Sequence, residues 1–201
     1  MGEVLRGGII LAGGKSRRFG GVDKALLDFG GGRTLLEEVV RSLEFLDELV
    51  ISTSTVDRAD RYSKLTGVHS CVDCAPGILG GILAGSRDIK SERVFITAAD
   101  MPFLSSDVIE LQFSLASEYQ AVVPRHPNGF IEPLHVVVER VPAIGVLERI
   151  CTRGERKVSR LFDSLRTRYV PVEEFAGLDP GLETFTNVND LKRFKEITSR
   201  A

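Results

Sequence analysis

An apolar run from Val4 to Leu11 breaks into the loop Leu11-Ala12-Gly13-Gly14-Lys15-Ser16-Arg17-Arg18-Phe19-Gly20-Gly21-Val22-Asp23-Lys24, and no other stretch constrains this chain as strongly. The run reads as a buried strand. The four glycines let backbone N–H groups turn toward a ligand, and the two arginines and two lysines neutralise its charge. A strand that enters such a loop predicts a polyphosphate cradle. The alternative is a glycine-rich surface turn with solvated basic residues. Two familiar phosphate motifs nearly fit and both fail. Gly14-Lys15-Ser16 supplies the end of a P-loop, but its first glycine would fall at Ile9, and Gly8 misses by one residue. The dinucleotide fingerprint Gly-x-Gly-x-x-Gly does not occur in the loop.

The chain has 201 residues, a length that fits one domain over 1–201 with a sizeable core. Formal net charge is −2, so there is no basic excess for DNA or RNA, and any basic function is local to Lys15–Lys24. That combination points to a nucleotide-binding enzyme rather than a nucleic-acid binder. The longest apolar runs are too short to cross a membrane, and Met1–Val4 does not open a signal-peptide pattern. Three cysteines, Cys71, Cys74 and Cys151, without a secretory signal imply a reducing cytoplasm. Cys71-Val72-Asp73-Cys74 has metal-ligand spacing, but no second pair or histidine cluster completes a tetrahedral site. We read this pair as small buried residues at a strand end, with a disulfide clip as the alternative. His69, His126 and His135 have no obvious partners.

Strand-like and helix-like segments alternate. Strands are expected at Val4–Leu11, Leu49–Ser52, Val68–Val72, Val94–Thr97, Ala121–Pro124, Leu134–Glu139 and Arg168–Val172. Helices are expected from the Thr34–Glu37 capping box to about Phe45, and at Asp57–Leu65, Gly80–Ile89, Ser106–Glu118, Val141–Cys151, Val158–Leu165 and Leu191–Ile197. The stretches around Gly30-Gly31-Gly32 and Pro124–Pro133 read as mobile loops. Repeated β-α units predict an α/β fold, a three-layer α/β/α sandwich with a mostly parallel, mixed sheet in which Leu134–Glu139 runs reversed. Ligands of such sheets bind beyond the carboxyl ends of strands. The Gly13 loop, Ser52, Asp73 and Asp100 all follow strand ends and should therefore meet in one crevice.

Asp100, in Thr97-Ala98-Ala99-Asp100-Met101-Pro102, is a carboxylate at a strand end beside the predicted phosphate loop, suited to Mg²⁺. Pro102 ends the strand sharply. Asp100 as a helix cap is the alternative, although Ser105 or Ser106 is the better cap. Pro76-Gly77 and Gly80-Gly81 allow backbone to approach a base or ribose closely.

Leu11-Ala12-Gly13-Gly14, Arg18-Phe19-Gly20 and Lys24 together resemble the signature of the molybdenum cofactor guanylyltransferase (molybdopterin-guanine dinucleotide biosynthesis protein A) family of nucleotidyltransferases, with Phe19 where Met is usual. The Gly-Gly-Val-Asp-Lys tail, the Asp-x-Pro at Asp100 and Asn187-Val188-Asn189 extend the likeness over most of the chain. The resemblance implies the Rossmann-like nucleotide-diphospho-sugar transferase fold. It implies Mg²⁺ on Asp100, with Asn187 and Asn189 as second contributors to the metal and acceptor site; Asn189 as a helix cap is the bland alternative. It implies charge stabilisation by Arg18 and Lys24, and nucleotide contacts from Leu11, Ala12, Gly13, Gly14, Lys24, Ser52, Asp73, Gly77 and Asp100. Ser52 stands where relatives often place Asn, and Ile78 where they place Pro. Gly129–Leu134 and Gly154-Glu155-Arg156-Lys157 fall on the implied acceptor side; a solvated helix start is the other reading of the second segment.

The implied reaction moves GMP from GTP to the phosphate of molybdenum-molybdopterin and releases pyrophosphate. Contact with other cofactor-biosynthesis proteins is left open. Transfer from CTP, a corrinoid or phospholactate acceptor, and a non-catalytic nucleotide-binding regulator are the competing readings. No protein nucleophile is evident, so positioning and charge neutralisation would carry catalysis.

Overall fold

A computed structural model describes residues 5–14 and 23–188. Among them, seven strands form one sheet: β1 (Arg6–Leu11), β4 (Glu48–Thr53), β5 (His69–Val72), β6 (Arg93–Ala98), β7 (Ala121–Arg125), β8 (Val136–Glu139) and β9 (Thr167–Pro171). Their order is β5-β4-β1-β6-β8-β7-β9. All neighbours run parallel except β8, which is antiparallel to both β6 and β7, as its expected reversal requires.

Alternation along the strands separates two apolar layers. Ile10, Ile51, Phe95, Val122 and Val137 face one layer with Val39 and Leu43, Tyr62, Val108 and Ile109. These last come from or adjoin α1 (Leu35–Ser42), α2 (Val56–Thr66) and α4 (Ser106–Leu115). Ile9, Val50, Ile96, Val123 and Val138 face the other layer, covered by α3 (Ile78–Asp88), α5 (Arg140–Thr152) and α6 (Ser159–Asp163). Central strands covered on both faces must be apolar on both, which is why Ile9 and Ile10 are both fully buried, each worth about 2 kcal/mol.

Local signals set the helix ends. The Thr34 side chain accepts from the Glu37 N–H while Glu37 accepts from the Thr34 N–H, so the expected capping box starts α1. Ser105 caps α4 through the Val108 N–H. Gly67, at φ +74°, ends α2.

Several expectations shift. α1 stops at Ser42 rather than near Phe45, because the chain must turn to bring Asp47 onto Arg6, whose N–H and C=O it engages. α3 starts two residues earlier than Gly80. The expected helix Ser106–Glu118 ends as a 3₁₀ turn after Leu115. Gly30-Gly31-Gly32, with three successive positive φ values, turns a short antiparallel ribbon of β2 (Asp28–Gly30) and β3 (Arg33–Thr34) instead of an open loop. The Pro124–Pro133 stretch closes on itself through His126 N–H to Phe130 C=O (2.7 Å) and Glu132 N–H to Pro124 C=O (3.0 Å). The helix expected at Leu191–Ile197 lies outside the described residues.

His135, just before β8, is fully buried against Phe95 and Phe185, at ring-centroid distances of 4.9 and 4.7 Å. Its Nε2 lies 2.8 Å from the hydroxyl of the equally buried Thr184, which also accepts the Ser105 N–H at 3.0 Å. Burial pushes the imidazole pKa down to about 3. An unfolded histidine titrates near pH 6.5. Between those values the unfolded chain holds one more proton than the folded chain, so stability falls as pH falls, by about 1.4 kcal/mol per pH unit. Denaturation midpoints at about pH 7 and about pH 5 should therefore differ more for the wild-type protein than for His135→Gln, and equal differences would show that this ring does not contribute to the acid sensitivity.

Candidate active site

Sheet register brings the candidate residues to one rim. Leu11 is paired with Ser52 on one side and Ala98 on the other, and Thr53 is paired with Val72. The pairing continues past the strands: Ala12 N–H donates to Ser52 C=O, Ala99 N–H to Leu11 C=O and Asp73 N–H to Thr53 C=O, at 2.8 to 3.0 Å. Leu11–Gly14, Ser52, Asp73 and Asp100 thus share the carboxyl edge of the sheet, the edge at which open α/β sheets take ligands.

Asp73 occupies a tight place on this rim. Ser52, fully buried, donates its hydroxyl to Asp73 Oδ1 at 2.8 Å. Any part Ser52 plays in ligand binding therefore runs through the Asp73 carboxylate. Burial raises the Asp73 pKa and the Ser52 hydrogen bond opposes that rise. Two glycines flank the carboxylate. A Cβ on Gly13 would stand 2.7 Å from Asp73 Oδ2, and one on Gly81 3.2 Å from Oδ1. The turn after Asp73 depends on glycine in the same way: Gly77 takes φ +94°, and a Cβ on Gly80 would come within 1.9 Å of the Ala75 carbonyl oxygen.

Lys24 and Asp100, 76 positions apart, form an ion pair. Lys24 Nζ donates to Asp100 Oδ2 at 2.7 Å, with the side chains 16% and 27% exposed. The sequence placed these two residues on one site but did not reveal this contact. The pair offers a cation to phosphate and a carboxylate to a metal ion at a single point. The Asp100 C=O accepts the Val188 N–H at 2.8 Å, which lays Asn187 beside Asp100. Phe103, from the loop after Asp100, meets Phe29 of the β2–β3 ribbon edge-on at 5.8 Å. Lys15, Arg17, Arg18 and Asn189 lie outside the described residues.

The two segments assigned to the acceptor side come together. A cleft of about 380 Å³ is lined by Gly129, Phe130, Ile131 and Pro133 from one, and by Lys157 at the end of the other together with the following Val158 and Ser159. Phe130 is 69% exposed at its edge. Arg156 is exposed, and Glu155 lies ahead of α6 and pairs with Arg160 at 3.5 Å instead of capping that helix.

Some sequence readings need correction. The three histidines do have partners: His69 pairs with Asp88 (2.9 Å), His126 with Glu132 (2.6 Å) and His135 with Thr184 (2.8 Å). These contacts span up to 49 positions, beyond the reach of local pattern. Cys74 is exposed rather than buried, and Cys71 is half-buried, its thiol pushed up to about 11 by burial. All three cysteines are free thiols. Among the described residues no group of three His, Cys, Asp or Glu side chains could hold a metal ion. The contacts of Arg58 to Gly14 and Asp23 and of Tyr62 to Asp23 were missed; the one aromatic in a mostly polar helix was the available signal.

Gly13→Ala should lower affinity for a nucleoside triphosphate about tenfold or more, because its methyl would displace the Asp73 carboxylate or the ligand. Ser52→Ala should shift the acid limb of binding to higher pH, since it removes the hydrogen bond that holds the Asp73 pKa down. Titration of a fluorescent triphosphate across pH checks both.

Comparison with known proteins identifies the family and the fold. The probable molybdenum cofactor guanylyltransferase of Methanosarcina acetivorans is 34% identical over 204 residues, covering 96% of this chain and 89% of the relative. That of Methanosarcina mazei is 32% identical over 207 residues, covering 98% and 92%. The crystal structure of molybdopterin-guanine dinucleotide biosynthesis protein A from Archaeoglobus fulgidus superposes with a TM-score of 0.84 at 26% identity, covering 98% of each chain. The sandwich is thus the Rossmann-like nucleotide-diphospho-sugar transferase arrangement that the loop motif implied. The model of the MobA-like NTP transferase domain matches residues 8–169, from inside β1 to inside β9, and the chain belongs to that family of nucleotidyltransferases.

Proposed function

We propose that this protein transfers GMP from GTP to the terminal phosphate of molybdenum-molybdopterin. In that reaction an acceptor phosphate oxygen attacks the α-phosphorus, the bond to the β-phosphate oxygen breaks, and pyrophosphate leaves. The observation that carries the reading is the Lys24–Asp100 pair, set on the same strand-end rim as the Gly13–Asp73 contact. The relatives' names supply the guanylyl group and the pterin acceptor.

In this proposal the Leu11–Gly14 backbone and Lys24 hold the triphosphate. Lys24 meets charge on the phosphates, and Arg18 joins it on the strength of the family signature. Asp73 holds the nucleoside, close to Gly77 and the turn it makes. An ionised carboxylate can only accept hydrogen bonds. Guanine presents two adjacent donors along one edge, whereas cytosine sets an acceptor beside its amino group, so a carboxylate facing the base favours GTP over CTP. The cleft between Phe130 and Lys157 receives the pterin, with Lys157 and the exposed Arg156 near its phosphate.

The donor set suits Mg²⁺. One accessible carboxylate, Asp100, with the Asn187 backbone brought close by the Val188 N–H bond to the Asp100 C=O, matches a hard cation that takes most of its oxygens from phosphate and water. Asp100 would hold the ion, with Asn187 and Asn189 supporting that site. Bound there, Mg²⁺ would supply positive charge to offset the negative charge that develops on the phosphates during transfer. The surrounding residues orient the two substrates, and such alignment supplies much of the rate in phosphoryl chemistry. The free thiols suit the reducing cytoplasm in which we place the reaction. No helix among the described residues is long and apolar enough to cross a membrane.

Purified protein given molybdopterin, Mg²⁺ and GTP should release pyrophosphate, with CTP and ATP as poorer donors. Clear CTP preference would sink the guanylyl assignment, and GTP binding without pyrophosphate release would favour a regulator. Asp100→Asn should reduce turnover by roughly two to three orders of magnitude, and Lys24→Ala should weaken GTP binding. Wild-type turnover in Asp100→Asn would remove this carboxylate from the reaction.

A further inference from the structure

We propose that Arg58, on α2 and outside the family signature, is a positioning residue for the nucleotide site, acting by tying the two ends of the phosphate loop together. The inference rests on the reading of that loop as a nucleoside triphosphate site.

Arg58 Nη1 donates to the Gly14 carbonyl at 3.2 Å, and its Nε lies 3.5 Å from Asp23 Oδ2. Gly14 follows the strand end at Leu11 and Ala12, and Asp23 immediately precedes Lys24. One guanidinium thus joins the exit of β1 to the residue before the lysine that pairs with Asp100. Tyr62, one turn further along the same helix face, donates its hydroxyl to both oxygens of Asp23 at 2.9 Å. The Tyr62 ring is fully buried, and burial together with the Asp23 charge pushes its phenol well above the ordinary value, so it stays a donor. The Asp23 carbonyl in turn accepts the Leu26 N–H at 3.1 Å, starting the helical turn that carries Lys24.

The chemistry needs arginine in particular. A planar fork with separated N–H donors reaches a neutral carbonyl and a carboxylate at once, whereas an ammonium is a point donor. Holding both ends before the ligand arrives reduces the ordering cost of binding. Arg58 therefore governs GTP affinity through Gly14 and Asp23.

The test compares Arg58→Ala, Arg58→Lys and Tyr62→Phe with wild type, titrating GTP and CTP and measuring KM and kcat for the GTP reaction together with melting temperature. Arg58→Ala should raise the Kd and KM for GTP about tenfold or more, the scale of one charge-assisted hydrogen bond, with the KM for the pterin acceptor held. Arg58→Lys should recover part of that loss. Tyr62→Phe keeps the buried ring and should raise the GTP KM by a smaller factor. A lowered melting temperature with GTP affinity within about twofold of wild type in Arg58→Ala overturns the proposal and leaves the function reading standing. If wild type prefers CTP and Arg58→Ala weakens CTP binding, the guanylyl reading fails and the role of Arg58 holds.

Discussion

Everything at the site depends on the pairing of β1 with β4 and β6. Those two parallel ladders run on past the strands, through Ala12 to Ser52 and Ala99 to Leu11, and so lock the start of the phosphate loop to the segments that carry Asp73 and Asp100. The ladders are secure because both faces of β1 and β6 are buried, with Ile9 and Ile10 in opposite layers. A slip of one residue would exchange those layers and separate the rim residues, so the stability of the core and the geometry of the site have the same origin.

Close backbone approach does the rest. Asp73 fits only because Gly13 and Gly81 carry no side chain on either side of it, and α3 begins only because Gly80 passes beneath the Ala75 carbonyl. The carboxylate is held by Ser52 from below and by bare backbone at its flanks. Around Asp100 the logic is electrostatic instead: the lysine neutralises the acid, and the backbone bond to Val188 draws Asn187 in from the far end of the described chain.

What was legible in the sequence was what local chemistry decides. Thr34 and Glu37 announce a helix start within four residues, and the apolar runs at Ile9–Ile10 and Val94–Ile96 announce strands buried on both faces. Strand ends then placed Gly13, Ser52, Asp73 and Asp100 together by topology alone. The Lys24–Asp100 pair, the Tyr62 and Arg58 contacts to Asp23 and the burial of His135 beside Thr184 were not legible, because each joins segments whose approach depends on the whole sheet. The Gly30-Gly31-Gly32 ribbon was missed for another reason. Positive-φ glycines serve a hairpin turn and an open loop equally well, and the two-residue β3 is too short to show an alternating pattern.

The antiparallel β8 has a wider consequence. Because it descends between two ascending strands, the chain from His126 to His135 goes back from the rim directly, without a crossover helix. One wall of the cleft between Phe130 and Lys157 is therefore a return loop anchored at both feet in the sheet. Its exposed tip at Phe130 can therefore change shape without any rethreading of the sheet, whereas its foot at His135 is fixed by burial in the core.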